Sequence, residues 1–134
     1  TCALPIFIIE PGRSMAGDAG VIVSEIINIA KKSVHERYPW VFLDVGKFGG
    51  LIETLDEAIK YPIYFEGEGP AVDIILAGPT CDSMDILYEK APYTMPETAR
   101  IGDRVYILTT GAYTKSYSSI YFNGFPPLSS HILK

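Results

Sequence analysis

The apolar positions of this chain fall in short runs closed by Gly or Pro, and their spacing changes along its length. Ile6-Phe7-Ile8-Ile9 is continuous, the pattern of a strand buried on both faces as in a parallel sheet or barrel, and Glu10-Pro11-Gly12 stops it. From Val21 to Ile29, six of nine residues are β-branched and apolar, which favours strand over helix, and Lys31-Lys32-Ser33 ends the run at the surface. Trp40-Val41-Phe42-Leu43-Asp44-Val45 reads as a further strand closed by Gly46. Leu51, Ile52, Leu55 and Ile59 have helical spacing, so a short helix is expected over Leu51 to Lys60, ended by Pro62. Strands follow at Ile63 to Phe65, Val72 to Ala77, Arg104 to Thr109 and Ile120 to Phe122, before a Gly124-Phe125-Pro126-Pro127 turn. Short strands with Gly/Pro punctuation point to a mainly β fold, an all-β sandwich or barrel after one opening strand of a different kind.

With 134 residues, 48% of them hydrophobic and 20% charged, the chain has the length and composition of one globular domain. A net charge of -5 supplies no basic face for nucleic acid or anionic lipid. The longest apolar stretches fall far short of a membrane span. Cys2 and Cys81 lie far apart, without metal-ligand spacing or a disulfide framework, which fits a reducing cytoplasmic setting. Thr1 leads at once into the first apolar run, so the chain reads as a fragment that starts inside a fold.

Three turns, each straight after a strand-like run, carry reactive side chains. Glu10 and Arg13 flank Pro11-Gly12. A carboxylate there can hold a ring nitrogen protonated, and Arg13 beside the Cβ-free Gly12 can admit a phosphate. Spacing alone favours the plainer reading, a strand-end turn with a surface ion pair worth at most about 1 kcal/mol. Cys81 follows Gly78-Pro79-Thr80. Exposed, it can donate a proton, whereas an inert cysteine is normally a small buried hydrophobe. Asp82 beside it is expected outside the core, because an unpaired buried carboxylate is costly. Tyr113 sits in Gly111-Ala112-Tyr113-Thr114, and for any one of the nine tyrosines half-buried packing is the default. His35 and His131 have no partner at triad or metal spacing and read as surface residues.

Taken in this order, Glu10-Pro11-Gly12-Arg13, Gly78-Pro79-Thr80-Cys81-Asp82-Ser83 and Gly111-Ala112-Tyr113-Thr114 resemble the bacterial ornithine/lysine decarboxylases of the pyridoxal-phosphate family. That family also includes diaminopimelate and arginine decarboxylases. Asp44-Val45-Gly46-Lys47-Phe48-Gly49-Gly50 and Phe122-Asn123-Gly124-Phe125 add to the likeness, although Ser14 stands where the family usually has an aromatic residue.

The resemblance implies a division of the chain. Residues 1–20 would end a TIM-type α/β barrel, and residues 21–134 would form a carboxy-terminal β domain. It implies pyridoxal 5'-phosphate as cofactor, with Glu10 on the pyridine nitrogen and Gly12, Arg13 and Tyr113 about the phosphate. Cys81 would be catalytic, protonating the substrate carbon after carbon dioxide leaves, and Asp82 would bind the distal ammonium of ornithine or lysine. Diaminopimelate decarboxylases resemble the loop but carry glutamate after the cysteine, so Asp82 points away from them. The product would be putrescine or cadaverine. The working form would be a homodimer in which the Cys81 loop enters the partner's site. The family's Schiff-base lysine lies in earlier barrel strands, so the fragment alone is expected to be inactive. Two alternatives are a non-catalytic relative that binds another protein, and a thiol hydrolase built on Cys81, which lacks a general base.

Overall fold

The structure is a computed structural model that describes residues 6–133. Its centre is one six-stranded sheet: β1 (Ile22–Ala30), β2 (Trp40–Leu43), β3 (Ile63–Phe65), β4 (Ala71–Ala77), β5 (Ile86–Pro96) and β6 (Arg104–Ile107), in the order β3-β6-β1-β2-β4-β5. Neighbours run antiparallel except β2 and β4, which are parallel.

Alternation decides which way each strand faces. Ser24 and Ile26 of β1 and Val105 and Ile107 of β6 point inward, while Val23, Glu25 and Arg104 point out. The two ends of the sheet bury side chains in one cluster that joins Ile26, Val41, Leu76 and Leu87 to Val105 and Ile107, so the sheet is curled around its own core. Each large aliphatic group buried there contributes roughly 1.5–3 kcal/mol. β4 is buried on both faces: Ile74 and Leu76 enter the main core, and Ile75 and Ala77 pack with Trp40 in a smaller cluster. Its near-continuous apolar run is what a central strand requires.

The expected mainly β architecture is present, and five of the expected strands are found within a few residues of their limits. Three local expectations are corrected, and the Ile6–Ile9 run has no partner among the described elements. Ile6–Ile9 joins no ladder, and its side chains are 81–88% exposed. A strand needs a neighbour to take its backbone N–H and C=O groups, and none of the described elements lies in that position. The helix over Leu51 to Lys60 is instead two short helical turns, Lys47–Leu51 and Ile52–Glu57, broken where Leu55 turns extended and Asp56 left-handed. Ile120 to Phe122 is not a strand, because Tyr121 and Asn123 are left-handed and the segment closes as a turn over Phe122–Gly124.

The third correction is β5, unanticipated because Glu89-Lys90-Ala91-Pro92 interrupts its alternation with charge and proline. The interruption is a bulge. Pairing with β4 moves from Tyr93 opposite Ile74 to Tyr88 opposite Leu76, leaving three consecutive N–H groups off the ladder. The Glu57 carboxylate accepts all three, from Glu89, Lys90 and Ala91 at 2.8, 2.6 and 3.0 Å. Partial burial alone would push the Glu57 carboxyl up, but those donors and Lys90 outweigh it and hold the group below its ordinary value.

Candidate functional site

Arg13 opens a single helical turn, Arg13–Ala16, closed by the Met15 N–H donating to the Gly12 carbonyl at 3.0 Å. One guanidinium nitrogen, Nη2, donates to Glu53. The Arg13 guanidinium carbon lies 5.7 Å from the centre of the Tyr61 ring and 5.5 Å from that of Tyr113. The other nitrogen, Nη1, is buried without a hydrogen-bond partner, and so is the hydroxyl of Tyr61, a residue only 1% exposed. Desolvation opposes the charge on Arg13, but Glu53, with Tyr61 close by, more than offsets it and raises its affinity for the proton.

Tyr113 reaches this turn from the far end of the chain. Its backbone is left-handed, and a Cβ on Gly12 would fall 2.6 Å from its hydroxyl oxygen. The Gly111 N–H donates to the Gly17 carbonyl at 2.9 Å, fastening the Gly-Ala-Tyr-Thr turn beside the Arg13 turn. Three of the anticipated residues, Gly12, Arg13 and Tyr113, therefore meet. Glu10 is exposed, one turn away in sequence.

The Cys81 loop leaves the end of β4. Cys81 is exposed and left-handed, and its thiol lies 3.9 Å from the Pro79 carbonyl. Asp82 is partly buried. Its Oδ1 accepts the Met84 N–H at 2.8 Å, so one carboxylate oxygen remains for another donor. Behind the loop, Asn123 Nδ2 donates to the Thr80 carbonyl at 2.9 Å, and the Phe122 ring stacks on Phe48 with centroids 3.9 Å apart. A cleft of about 240 Å³ lined by Phe48, Pro79, Thr80, Phe122 and Leu128 runs beneath. A second, of about 230 Å³, lies between Lys47, Glu57, Ser83 and Met84.

Among the described residues no hydrogen bond or ring contact joins Cys81 and Asp82 to Arg13 and Tyr113. The two groups stand apart within one chain. Tyr61 and Asp85 carry no sequence signal of a role, Asn123 stands out only within Phe122-Asn123-Gly124-Phe125, and Glu53 only within an acidic run with Asp56 and Glu57 that could orient a diamino acid through water. For each residue of that run taken singly, the sequence favours a solvated helix face. His35 and His131 are exposed, as expected. Cys2 lies outside the described residues. No three His, Cys, Asp or Glu side chains among the described residues cluster as metal ligands, and no helix there is long and apolar enough to cross a membrane.

Residues 13–111 match the family model of the pyridoxal-dependent decarboxylase C-terminal sheet domain. The chain belongs to the pyridoxal-dependent decarboxylase family. It is 35% identical over 116 residues to the lysine/ornithine decarboxylase of Selenomonas ruminantium, covering 87% of this chain and 28% of that protein. It is 36% identical over 115 residues to the diaminopimelate decarboxylase of Staphylococcus aureus, covering 84% and 26%. The chain thus spans little more than a quarter of those decarboxylases. Similar crystal structures include SrLDC in complex with PLP and cadaverine (TM-score 0.73 or better across its forms, with 0.74, 35% identity, 88% of this chain and 29% of that one here). Another is the lysine/ornithine decarboxylase of Vibrio vulnificus complexed with cadaverine, with TM-score 0.74, 31% identity, and 88% and 31% covered.

The family's cofactor fits the residues present. Arg13 Nη1 is a buried cationic donor with no hydrogen-bond partner, and the missing Cβ of Gly12 lets the Tyr113 hydroxyl come up against the same turn. A phosphate group suits both features, since it supplies acceptor oxygens and negative charge in a small volume.

Proposed function

We propose that this chain is the sheet-domain part of a pyridoxal-phosphate-dependent decarboxylase that converts ornithine, lysine or both to putrescine or cadaverine and carbon dioxide. The observation that carries the reading is the Cys81-Asp82 pair on an exposed loop held from behind, in a chain whose Arg13 keeps a buried, unpaired guanidinium nitrogen. When bound, pyridoxal phosphate supplies a protonated ring that takes up the electron pair left as the carboxylate departs.

Arg13 Nη1, with Gly12 and Tyr113 beside it, holds the phosphate, and Glu53 keeps the guanidinium in place. Glu10 holds the ring nitrogen. Cys81 gives the proton on its Sγ to the substrate's α-carbon after the carbon-carbon bond to the carboxylate breaks, and the thiolate regains a proton from solvent. The free oxygen of the Asp82 carboxylate accepts from the distal ammonium, a charge-assisted bond worth about 1.5–3 kcal/mol. A neutral side chain forfeits that bond. The shorter aspartate, rather than glutamate, supports ornithine and lysine over diaminopimelate.

The two half-sites are complementary between two copies, so the enzyme works as a homodimer with each site shared. In that reading the imine-forming lysine comes from a barrel outside the described sheet domain. That barrel also covers Ile6–Ile9, four consecutive exposed apolar side chains that otherwise face water. The working compartment is the reducing cytoplasm.

Mixing two inactive full-length variants tests the shared site. Cys81→Ala and Arg13→Ala homodimers are each expected to be near silent. Co-refolded, they should recover about a quarter of wild-type carbon dioxide release, because half the dimers are mixed and each holds one intact site. No recovery, with mixed dimers demonstrated by mass, would sink the shared-site reading. Release from neither ornithine nor lysine by the wild type would sink the substrate assignment.

A further inference from the structure

We propose that Asp85 is the positioning residue of the Cys81-Asp82 loop. Its carboxylate is wedged between Gly46 and Gly78, and it fixes the backbone from which the thiol is presented. The kinetic consequence rests on the decarboxylase reading, whereas the geometry does not.

Asp85 is 2% exposed and makes no ion pair among the described residues. Its charge is met by donors instead. Oδ1 accepts the Lys47 N–H at 2.7 Å, and Oδ2 accepts the Thr80 N–H at 3.2 Å and the Thr80 hydroxyl at 2.7 Å. Burying a carboxylate with no cation in contact is costly, the buried Lys47 ammonium attracting it only from beyond ion-pair distance, and an apolar side chain of similar size would fill the same space without that penalty. What the carboxylate provides is a link between two strand ends 38 residues apart, tied at the residue immediately before Cys81.

The surroundings are shaped around it. A Cβ on Gly46 would fall 2.2 Å from Oδ1, and one on Gly78 would fall 2.4 Å from Oδ2. Gly46 is extended, with φ −141°, so its backbone places no demand for glycine; the carboxylate does. The loop then closes on Asp85 through main-chain bonds. The Gly78 N–H donates to its carbonyl at 2.7 Å, and its own N–H donates to Asp82 at 3.0 Å.

Cys81 sits inside that clasp with φ 57°, a conformation uncommon for a residue with a Cβ and one that is kept only where its flanks are held. Thr80 on one side is gripped by Asp85 and Asn123, and Asp82 on the other by Met84 and Asp85. Removing the Asp85 acceptors frees the Thr80 side and lets Cys81 relax.

The test uses the full-length, cofactor-loaded enzyme. Asp85→Asn keeps the shape but places an N–H₂ donor against an N–H donor. The Thr80 and Lys47 amides should exchange with solvent about tenfold faster or more, as read by hydrogen exchange. Alkylation of Cys81 by a neutral reagent, followed on its own peptide by mass spectrometry, should change by about fivefold or more. Turnover should fall about tenfold or more, with KM for the diamino acid raised and the bound-cofactor absorbance unchanged. Exchange, alkylation and turnover all within about twofold of wild type in Asp85→Asn overturn the proposal. If that variant does not fold, Thr80→Val decides: faster exchange at residue 80 with altered alkylation supports the proposal, and wild-type values overturn it. Neither exchange nor alkylation depends on the reaction. A shift in both alongside a wild type that releases no carbon dioxide keeps the positioning role and removes the decarboxylase reading; an active wild type with no shift does the reverse.

Discussion

The Arg13 turn and the Cys81 loop are both short Gly/Pro segments carrying reactive side chains, yet they are finished to different degrees. Around Cys81 the flanking polar groups have partners inside the same domain: Thr80 with Asp85 and Asn123, Asp82 with Met84. Around Arg13 two buried polar atoms, Nη1 and the Tyr61 hydroxyl, have none. A satisfied loop holds its shape without a ligand, whereas an unsatisfied pocket pays a desolvation cost that an anion relieves. In the proposed reading the first is a pre-set proton donor and the second an anion seat, and the second is the half that ligand binding should stabilise.

Three substitutions test that contrast. Cys81→Ala in the full-length enzyme should cost the most, about 10²- to 10⁴-fold in turnover, while affinity for the cofactor stays at the wild-type value. A matching loss of cofactor affinity, read by absorbance titration, would mean the two halves are not separable. Arg13→Met should do the opposite. Cofactor affinity should fall about 10- to 100-fold, the loss of one charge-assisted bond, and thermal stability without cofactor should fall as well, because the Glu53 carboxylate loses its Nη2 donor. Unchanged affinity would remove Arg13 from the phosphate site.

Glu57→Gln touches neither half directly and should give the smallest effect. Its carboxylate holds the β5 bulge opposite β4, the strand that delivers Cys81, so the variant should lose about 1–2 kcal/mol at neutral pH by chemical denaturation. The pH dependence has a definite sign. The folded-state pKa of Glu57 is lowered, so its contribution is complete above its ordinary value of 4.5 and is lost as pH falls through the folded value. Wild type and variant should therefore converge in acid, and a gap that persists there would show that the bulge is held by something else.

Much of the strand plan was legible because it depends on local alternation. β-branched density marked β1, the Ile63–Phe65 run marked β3, and the Gly102 turn announced β6. β5 was hidden because a bulge erases the alternation from which a strand is recognised, and its compensation by Glu57 is invisible until the two segments meet. Ile6–Ile9 has the composition of a buried strand, and the described fold supplies no neighbour for it to pair with. Of the candidate site, the three turns stood out by residue type, and Gly12, Arg13 and Tyr113 do converge.

Sequence alone determined which segments carry thiol, carboxylate and guanidinium, and that these sit on turns after strands, since residue type and Gly/Pro punctuation act over a few positions. The tertiary structure alone decided that Glu53 meets Arg13, that Asp85 meets Lys47 and Thr80, and that one guanidinium nitrogen is left over. The Arg13–Glu53 and Lys47–Asp85 pairings join residues 40 and 38 positions apart through the curl of the sheet, and hydrogen bonds are directional over about 3 Å, so no local pattern encodes them.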